Sequence, residues 1–371
     1  MKKILLVAAD GFSKTGVPAV FMNIVRNLSK RGFSFDIIYF DERFKYYYDE
    51  FCSFGGKAYL LQKQHKTVFL KKIARYISAR HYFKKTLKVL TNNGPYIAVH
   101  CFNEYRSCSF LKAAAIANVP LRIYHCNNIV RIGGNIFNRL LMAKEKKQCL
   151  KYGTTFIGCS KKAIESAFGN LVNFTIVNNP YDDSEFQFTK ESVFRHDKLR
   201  LVQTSGYCDG KNQLFSLDVI AELLKKTKNV EMNFIGMDIS KKYRKKIDKK
   251  ICKLNLNKNV FFYNFDIEQK PIFDKCNYFL FPSKSEAFGI VLIEAQACGL
   301  KCFASDETPT EVDVGGCVRL PLLQNPKKWA DAIFNDFAAS AKKQSYDCSA
   351  YKNEYILYKY INLYNSGGQE E

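Results

Sequence analysis

The stretch FLFPSKSEAFGIVLIEAQACGL, residues 279–300, sets two carboxylates, Glu286 and Glu294, on either side of an apolar FGIVLI run. Lys284 is their one close basic neighbour in sequence, so a simple surface ion pair explains little. Were both acids on one helix, they would stand about 80° apart around its axis and about 12 Å along it. The local signals break that helix. Asn277–Phe281 reads as a buried strand, Pro282-Ser283 as its end, and Gly289–Cys298 as a helix stopped by Gly299 just past its end. Glu286 then falls in a loop and Glu294 in the second helical turn, with the amides of Phe288, Gly289, Ile290 and Val291 between them. A helix start attracts anions and a carboxylate accepts hydrogen bonds from hydroxyls. Together they suit a ligand with a diphosphate in its middle and a hydroxyl-rich ring at each end, as in a nucleotide sugar. An amphipathic core helix with two incidental acids accounts for the same spacing.

Short apolar runs that could carry this site alternate with helical patterns throughout the chain. Strands are expected at 3–8, 34–40, 57–61, 96–101, 121–125, 154–158 and 174–178. A second series falls at 199–205, 231–235, 259–263, 277–281 and 301–304. Between them lie segments such as VPAVFMNIVRNLSKRG and KNQLFSLDVIAELLKK, apolar at three- and four-residue spacing. Strict alternation predicts parallel sheets with helices on both faces. At 371 residues two domains are expected, parting in VNNPYDDSEFQF, 177–188. The domains would be 1–178, joined by a C-terminal helix at 351–364, and 179–345. Two such α/β, doubly wound domains would bind ligands in a cleft at the carboxyl ends of their strands.

Composition narrows the partners. The net charge of +22 is unevenly spread. Residues 1–180 hold 29 Lys and Arg against 9 Asp and Glu, and the rest of the chain 28 against 26. An anionic partner for the first half is implied: a membrane surface, a phosphorylated substrate or nucleic acid. KTVFLKKIARYISARHYFKKTLKVL sets Phe69, Ile73, Tyr76 or Ile77, Phe83, Leu87 and Leu90 on one side and basic residues on the other. That reads as a basic face for anionic lipid, or as ordinary domain helices with solvated faces. No helix-turn-helix, zinc or aromatic-platform motif supports nucleic acid. The 13 cysteines contain no C-x-x-C pair and complete no metal pattern, so free thiols in a reducing cytosol are expected. No apolar run reaches the roughly 18–20 residues that span a bilayer. The opening KKILLVAAD reads as a strand, not a secretory leader.

PSKSEAFGIVLIEAQACGL resembles the Glu–seven residues–Glu signature of retaining glycosyltransferases of family four, and the match continues into CFASDETPTEV. Further pieces fall in the family's order: TGVPAVFMNIVRNL, RIYHCNNI, FIGCSKKAIESAFG, IVNNPYDDSEFQF and SGYCDGKNQLF. The likeness runs from about residue 3 to about 335, and is nearest to bacterial capsular and exopolysaccharide transferases. It implies the GT-B architecture, two Rossmann-like domains facing across a cleft, with the acceptor on the first and the nucleotide sugar on the second.

Residue by residue, the resemblance implies that Glu294 binds the ribose hydroxyls and Glu286 a hydroxyl of the donor sugar, each by a charge-assisted bond of about 1.5–3 kcal/mol. Lys211, in DGKNQ, would neutralise the diphosphate. The arginine that usually follows the loop glycine is absent, and Tyr207 or Gly206 stands in its place. His125 would touch the donor sugar or the reacting face, while a buried structural histidine is the plainer reading. Gly16 would let backbone approach the phosphates or acceptor. No Asp-x-Asp stretch ends a strand (Asp41-Glu42 and Asp182-Asp183 look turn-like), so no obligatory metal is expected. The implied activity moves a sugar, with retention, from a UDP-linked donor to a lipid-linked glycan, in the cytoplasm at the inner face of the plasma membrane. Rivals are another sugar-nucleotide enzyme such as an epimerase, and an inactive polymer- or nucleic-acid-binding protein on the same fold.

Overall fold

The structure, a computed structural model, describes residues 1–8, 11–13, 16–40, 45–61, 71–102, 104–189, 193–339 and 342–366, with backbone only for 71–78. It divides into two compact units, Met1–Asn179 with Asn353–Glu371, and Pro180–Lys352.

The first unit opens β1 (Lys2–Ala8), α1 (Gly16–Leu28), β2 (Phe33–Tyr39), α2 (Tyr48–Ser53), β3 (Ala58–Leu60) and α3 (Lys71–Asn93). It continues β4 (Ala98–Cys101), α4 (Cys108–Ile116), β5 (Leu121–Cys126), α5 (Ile136–Tyr152), β6 (Thr155–Gly158), α6 (Lys161–Phe168) and β7 (Thr175–Ile176). The second unit runs β8 (Leu199–Thr204), α7 (Gln213–Leu224), β9 (Val230–Ile235), α8 (Lys241–Lys253), β10 (Val260–Tyr263) and α9 (Lys270–Lys275). It ends with β11 (Tyr278–Phe281), α10 (Ile290–Ala297), β12 (Lys301–Ser305), β13 (Cys317–Leu320) and α11 (Pro326–Ala338). The chain then returns to the first unit as α12 (Asn353–Asn365).

Both sheets are parallel, in the orders β3-β2-β1-β4-β5-β6-β7 and β10-β9-β8-β11-β12-β13. Strands covered on both faces must be apolar almost throughout, as in KKILLVA, where the last five residues are buried. Each sheet reverses its order once, between β1 and β4 in the first and between β8 and β11 in the second. At these points the connections leave in opposite directions and open a crevice beyond the strand ends.

The strand β13 was not expected. Its residues, CVRL, are all half-buried and lie at the sheet's edge after two glycines, so no continuous apolar run announces it. Of the expected basic helix face, Phe69 lies outside the described residues, as do the side chains of Ile73, Tyr76 and Ile77. In the described part Leu90 and Thr86 are buried, and Arg80, Lys84, Lys85 and Lys88 are exposed. That part of α3 presents charge without exposed large apolar side chains.

Candidate active site

In the second unit β8 and β11 flank the reversal point, and the loops that follow them carry the candidate residues. After β8, Asp209–Lys211 form one 3-10 turn, closed by Asn212 in the left-handed region at φ 57°. Fully buried Gln203 holds this turn by donating Nε2 to the Lys211 carbonyl at 2.8 Å, and its own Oε1 accepts from Ser216 Oγ at 2.7 Å. After β11, the Lys284 amide donates to the Gly210 carbonyl at 2.8 Å, and its Nζ lies 2.9 Å from Asp209 Oδ2. The two loops are thus tied along both main chain and side chains.

The sequence suggested Lys284 as the basic neighbour of Glu286. Instead Lys284 pairs with Asp209, and Glu286 forms an ion pair with Lys211. The Lys211 side chain is 30% exposed and that of Glu286 9%. The Lys211 ammonium also stands 5.4 Å from the centre of the Phe281 ring. Two residues 75 positions apart meet because their strands are neighbours at the reversal point.

Gly289 precedes α10 with φ at +92°, a conformation open chiefly to glycine. A Cβ there would make only ordinary contacts, so backbone angle and not crowding demands the residue. No side chain caps this helix start, and Leu292 N–H turns back to the Gly289 carbonyl at 2.9 Å. The amides of Ile290 and Val291 open the helix at the positive end of its dipole. The Phe288 ring is buried, 5.9 Å from that of Tyr351, so only its main chain can serve a ligand. At the other end Gly299 takes φ +78°, and its N–H and that of Leu300 return to Gln296 and Ala295.

Glu294 lies in the second turn of α10, half-buried. Burial pushes its carboxyl pKa up to about 8, with smaller contributions from Glu185 and Asp182. Those two acids belong to the segment read as a linker. Asp182 Oδ1 accepts from the amides of Ser184 (3.0 Å) and Glu185 (3.3 Å), forming a turn beside the helix. Their approach to Glu294 was invisible in sequence. Among the described residues no group of three or more His, Cys, Asp or Glu is arranged to hold a metal.

Tyr207, one of the two residues that stand where the resemblance leads one to expect an arginine, is buried and donates its hydroxyl to the Phe234 carbonyl at 3.2 Å. It serves the core. The guanidinium of Arg244 lies over Phe262 at 3.7 Å and over Tyr207 at 5.5 Å.

In the first unit Gly16 begins α1 and is exposed, and among the described residues no atom lies within 4 Å of where a Cβ would stand. His125 is the penultimate residue of β5, not its last, and is 1% exposed. Its Nδ1 lies 3.1 Å from His100 Nε2, and His100 Nδ1 lies 2.7 Å from the hydroxyl of Tyr364 on α12. His125 Nε2 ends this chain with no partner among the described residues. Burial lowers the His125 pKa to about 3 and that of His100 well below its usual value, so both rings are neutral at pH 7. Neither His100 nor Tyr364 was singled out from sequence. The three come together only through the pairing of β4 with β5 and the return of α12.

Residues 185–315 match the family model "Glycosyl transferases group 1". Among curated proteins the chain is 24% identical over 360 residues to the putative glycosyltransferase EpsF of Bacillus subtilis, covering 93% of this chain and 90% of that one. It is 36% identical over 146 residues to the capsular polysaccharide biosynthesis glycosyltransferase CapH of Staphylococcus aureus, covering 38% and 40%. Among solved structures, Anabaena Alr3699/HepE in complex with UDP superposes with a TM-score of 0.77 at 14% identity, covering 99% of this chain and 100% of that one. The chain is a glycosyltransferase of the GT-B fold, with a group 1 glycosyl transferase domain in its second unit.

Proposed function

We propose that the protein is a retaining glycosyltransferase that moves a sugar from a UDP-linked donor to a lipid-linked glycan in bacterial capsule or exopolysaccharide synthesis. The observation that carries this reading is the Lys211–Glu286 pair at the β8/β11 reversal, with the uncapped start of α10 and Glu294 following it. The names of the relatives, EpsF and CapH, and the UDP bound by HepE point the same way.

In this reading Lys211 leaves Glu286 for the incoming diphosphate, where its charge and the α10 amides offset the leaving group's negative charge. Glu286, released, accepts a hydroxyl of the donor sugar, and Glu294 accepts the ribose hydroxyls. His125, neutral, offers Nε2 to the sugar or the reacting face, and Gly16 leaves space for the acceptor or phosphates. Retention fits front-face attack, the departing phosphate taking the acceptor's proton. Binding rests on side chains and amides, so no divalent cation is required. The basic first unit binds the acceptor and the anionic inner face of the membrane.

A panel of labelled nucleotide sugars, incubated with and without membrane extract and with and without EDTA, tests the reading. Transfer of label to extract lipid, insensitive to EDTA, is expected. Conversion of the nucleotide sugar without extract would indicate an epimerase, and inertness toward the whole panel a binding protein. Loss of transfer in EDTA, restored by magnesium, would overturn the metal-free mechanism.

A further inference from the structure

Large exposed apolar side chains are scattered over most of the first unit, but four cluster at one place. Ile132 is 52% exposed, Ile136 71%, Phe137 46% and Leu140 64%. The last three occupy the first turns of α5. This helix is held firmly. The Asn135 side chain accepts from the Asn138 amide at 3.1 Å to start it, and Glu145 and Cys149 are buried on its inner side. At 100° per residue, Ile136, Leu140, Ala143 and Lys147 fall within about 60° of one another, opposite Glu145 and Cys149. All four are exposed. The outer face therefore begins apolar and continues basic.

Charge identifies what covers it. Glu145 is the sole acid between Glu104 and Glu165, and it is buried. Arg139, Lys144 and Lys147 are exposed around the apolar turns. An apolar protein partner would account for the isoleucines but leave the cations unmatched, and nucleic acid would leave the isoleucines in water. An anionic bilayer satisfies both, taking apolar side chains at the headgroup–acyl boundary and cations at the headgroups. Among the described residues no helix is long and apolar enough to cross a membrane, so such a contact would lie on the surface.

We propose that the outer face of α5, with Ile132 ahead of it, is the surface by which the protein inserts into an anionic lipid bilayer. This rests on the membrane reading above and locates it on α5, not on the purely basic described part of α3.

Phe137→Trp provides a reporter, since the chain's single tryptophan, Trp329, is fully buried in the second unit. With phosphatidylglycerol-containing vesicles, emission of the F137W protein should shift to the blue and be quenched by brominated acyl chains. Pure phosphatidylcholine should give little of either. The double variant I136E/L140E, altered only at exposed positions, should keep the wild-type melting curve and lose about tenfold or more in vesicle affinity. Wild-type protein that binds the vesicles while F137W stays unquenched and I136E/L140E binds equally well would overturn the α5 assignment and leave the membrane reading standing. Wild-type protein that binds no vesicle would overturn both. A concentration-dependent dimer in sedimentation, abolished by I136E/L140E, would assign the face to a second copy instead.

Discussion

Glu294 combines a carboxyl pKa near 8 with a place on the helix that follows Glu286. Without ligand at pH 7 the group is mostly protonated. Ribose hydroxyls donating to it favour the charged form, so its pKa falls on binding and a proton leaves. UDP binding at pH 7, measured calorimetrically in buffers of different ionisation heat, should release close to one proton, and Glu294→Gln should abolish the release. Absence of proton exchange in the wild type would remove Glu294 from the ribose site. The same shift has a sign for stability. A carboxyl raised from 4.5 to about 8 stabilises the fold at low pH and loses that contribution as pH climbs through this window. The melting temperature of E294Q should therefore gain on wild type from pH 5 to 8 and run parallel above. The Lys211–Glu286 pair predicts an asymmetry between its members. Lys211→Met should weaken UDP binding by about tenfold to a hundredfold, the value of a lost charge-assisted bond. Glu286→Ala frees Lys211 beforehand, so UDP should bind at least as tightly while transfer is lost. Tighter sugar-nucleotide binding by K211M would refute the assignment.

Elements, more than single residues, decided what could be read from sequence. Most of the twelve expected strands announce themselves because buried parallel strands must be apolar nearly throughout, as FLF before Pro282 and IIY in β2 show. Glu286 in a loop and Glu294 in the second turn follow from Pro282, Gly289 and Gly299, whose backbone demands are local. The Lys211–Glu286 pair is not local. It needs the neighbourhood of β8 and β11, which no short window contains, and likewise nothing in PYDDSEF reveals that Asp182 and Glu185 lie near α10. His125 was legible as a strand-end residue, with burial as its plainer reading, but its partners were not, because Tyr364 comes from an element 239 residues away. The Tyr364–His100–His125 chain yields its own expectation. Both histidines are neutral when folded and take protons when unfolded, so their contribution is complete above about pH 6.5 and declines as pH falls below it. Tyr364→Phe leaves a buried ring nitrogen unpaired, at about 1–3 kcal/mol, and should lower the melting temperature at every pH. His125→Gln should flatten the decline between pH 6.5 and 4, followed by thermal melts across that range. An unchanged pH slope would show that His125 titrates normally and is not buried.

At the scale of the whole molecule the first unit is discontinuous, built from Met1–Asn179 and Asn353–Glu371. From α12, Ile356, Leu357, Tyr360 and Tyr364 are all nearly fully buried in its core, alongside residues of β1, α1 and β2. A fragment ending at Asn179 should therefore bind a hydrophobic dye and melt without a cooperative transition, and a peptide of residues 353–366 added in trans should restore the transition. Cooperative melting of the fragment alone, at the temperature it shows with the peptide, would mean that α12 is dispensable. The same discontinuity orders events on the ribosome. The first seven strands emerge early, yet the helix that completes their core follows only after the roughly 170 residues of Pro180–Lys352. At about 5–20 residues per second, the nascent first unit waits roughly 10–35 s with one apolar surface uncovered. Throughout that interval it is a client for chaperones, while the second unit, continuous in the chain, can close as it emerges. A message truncated just before α12 thus yields a folded second unit tethered to an unfinished first one, and proteolysis of such products should begin in the first half of the chain.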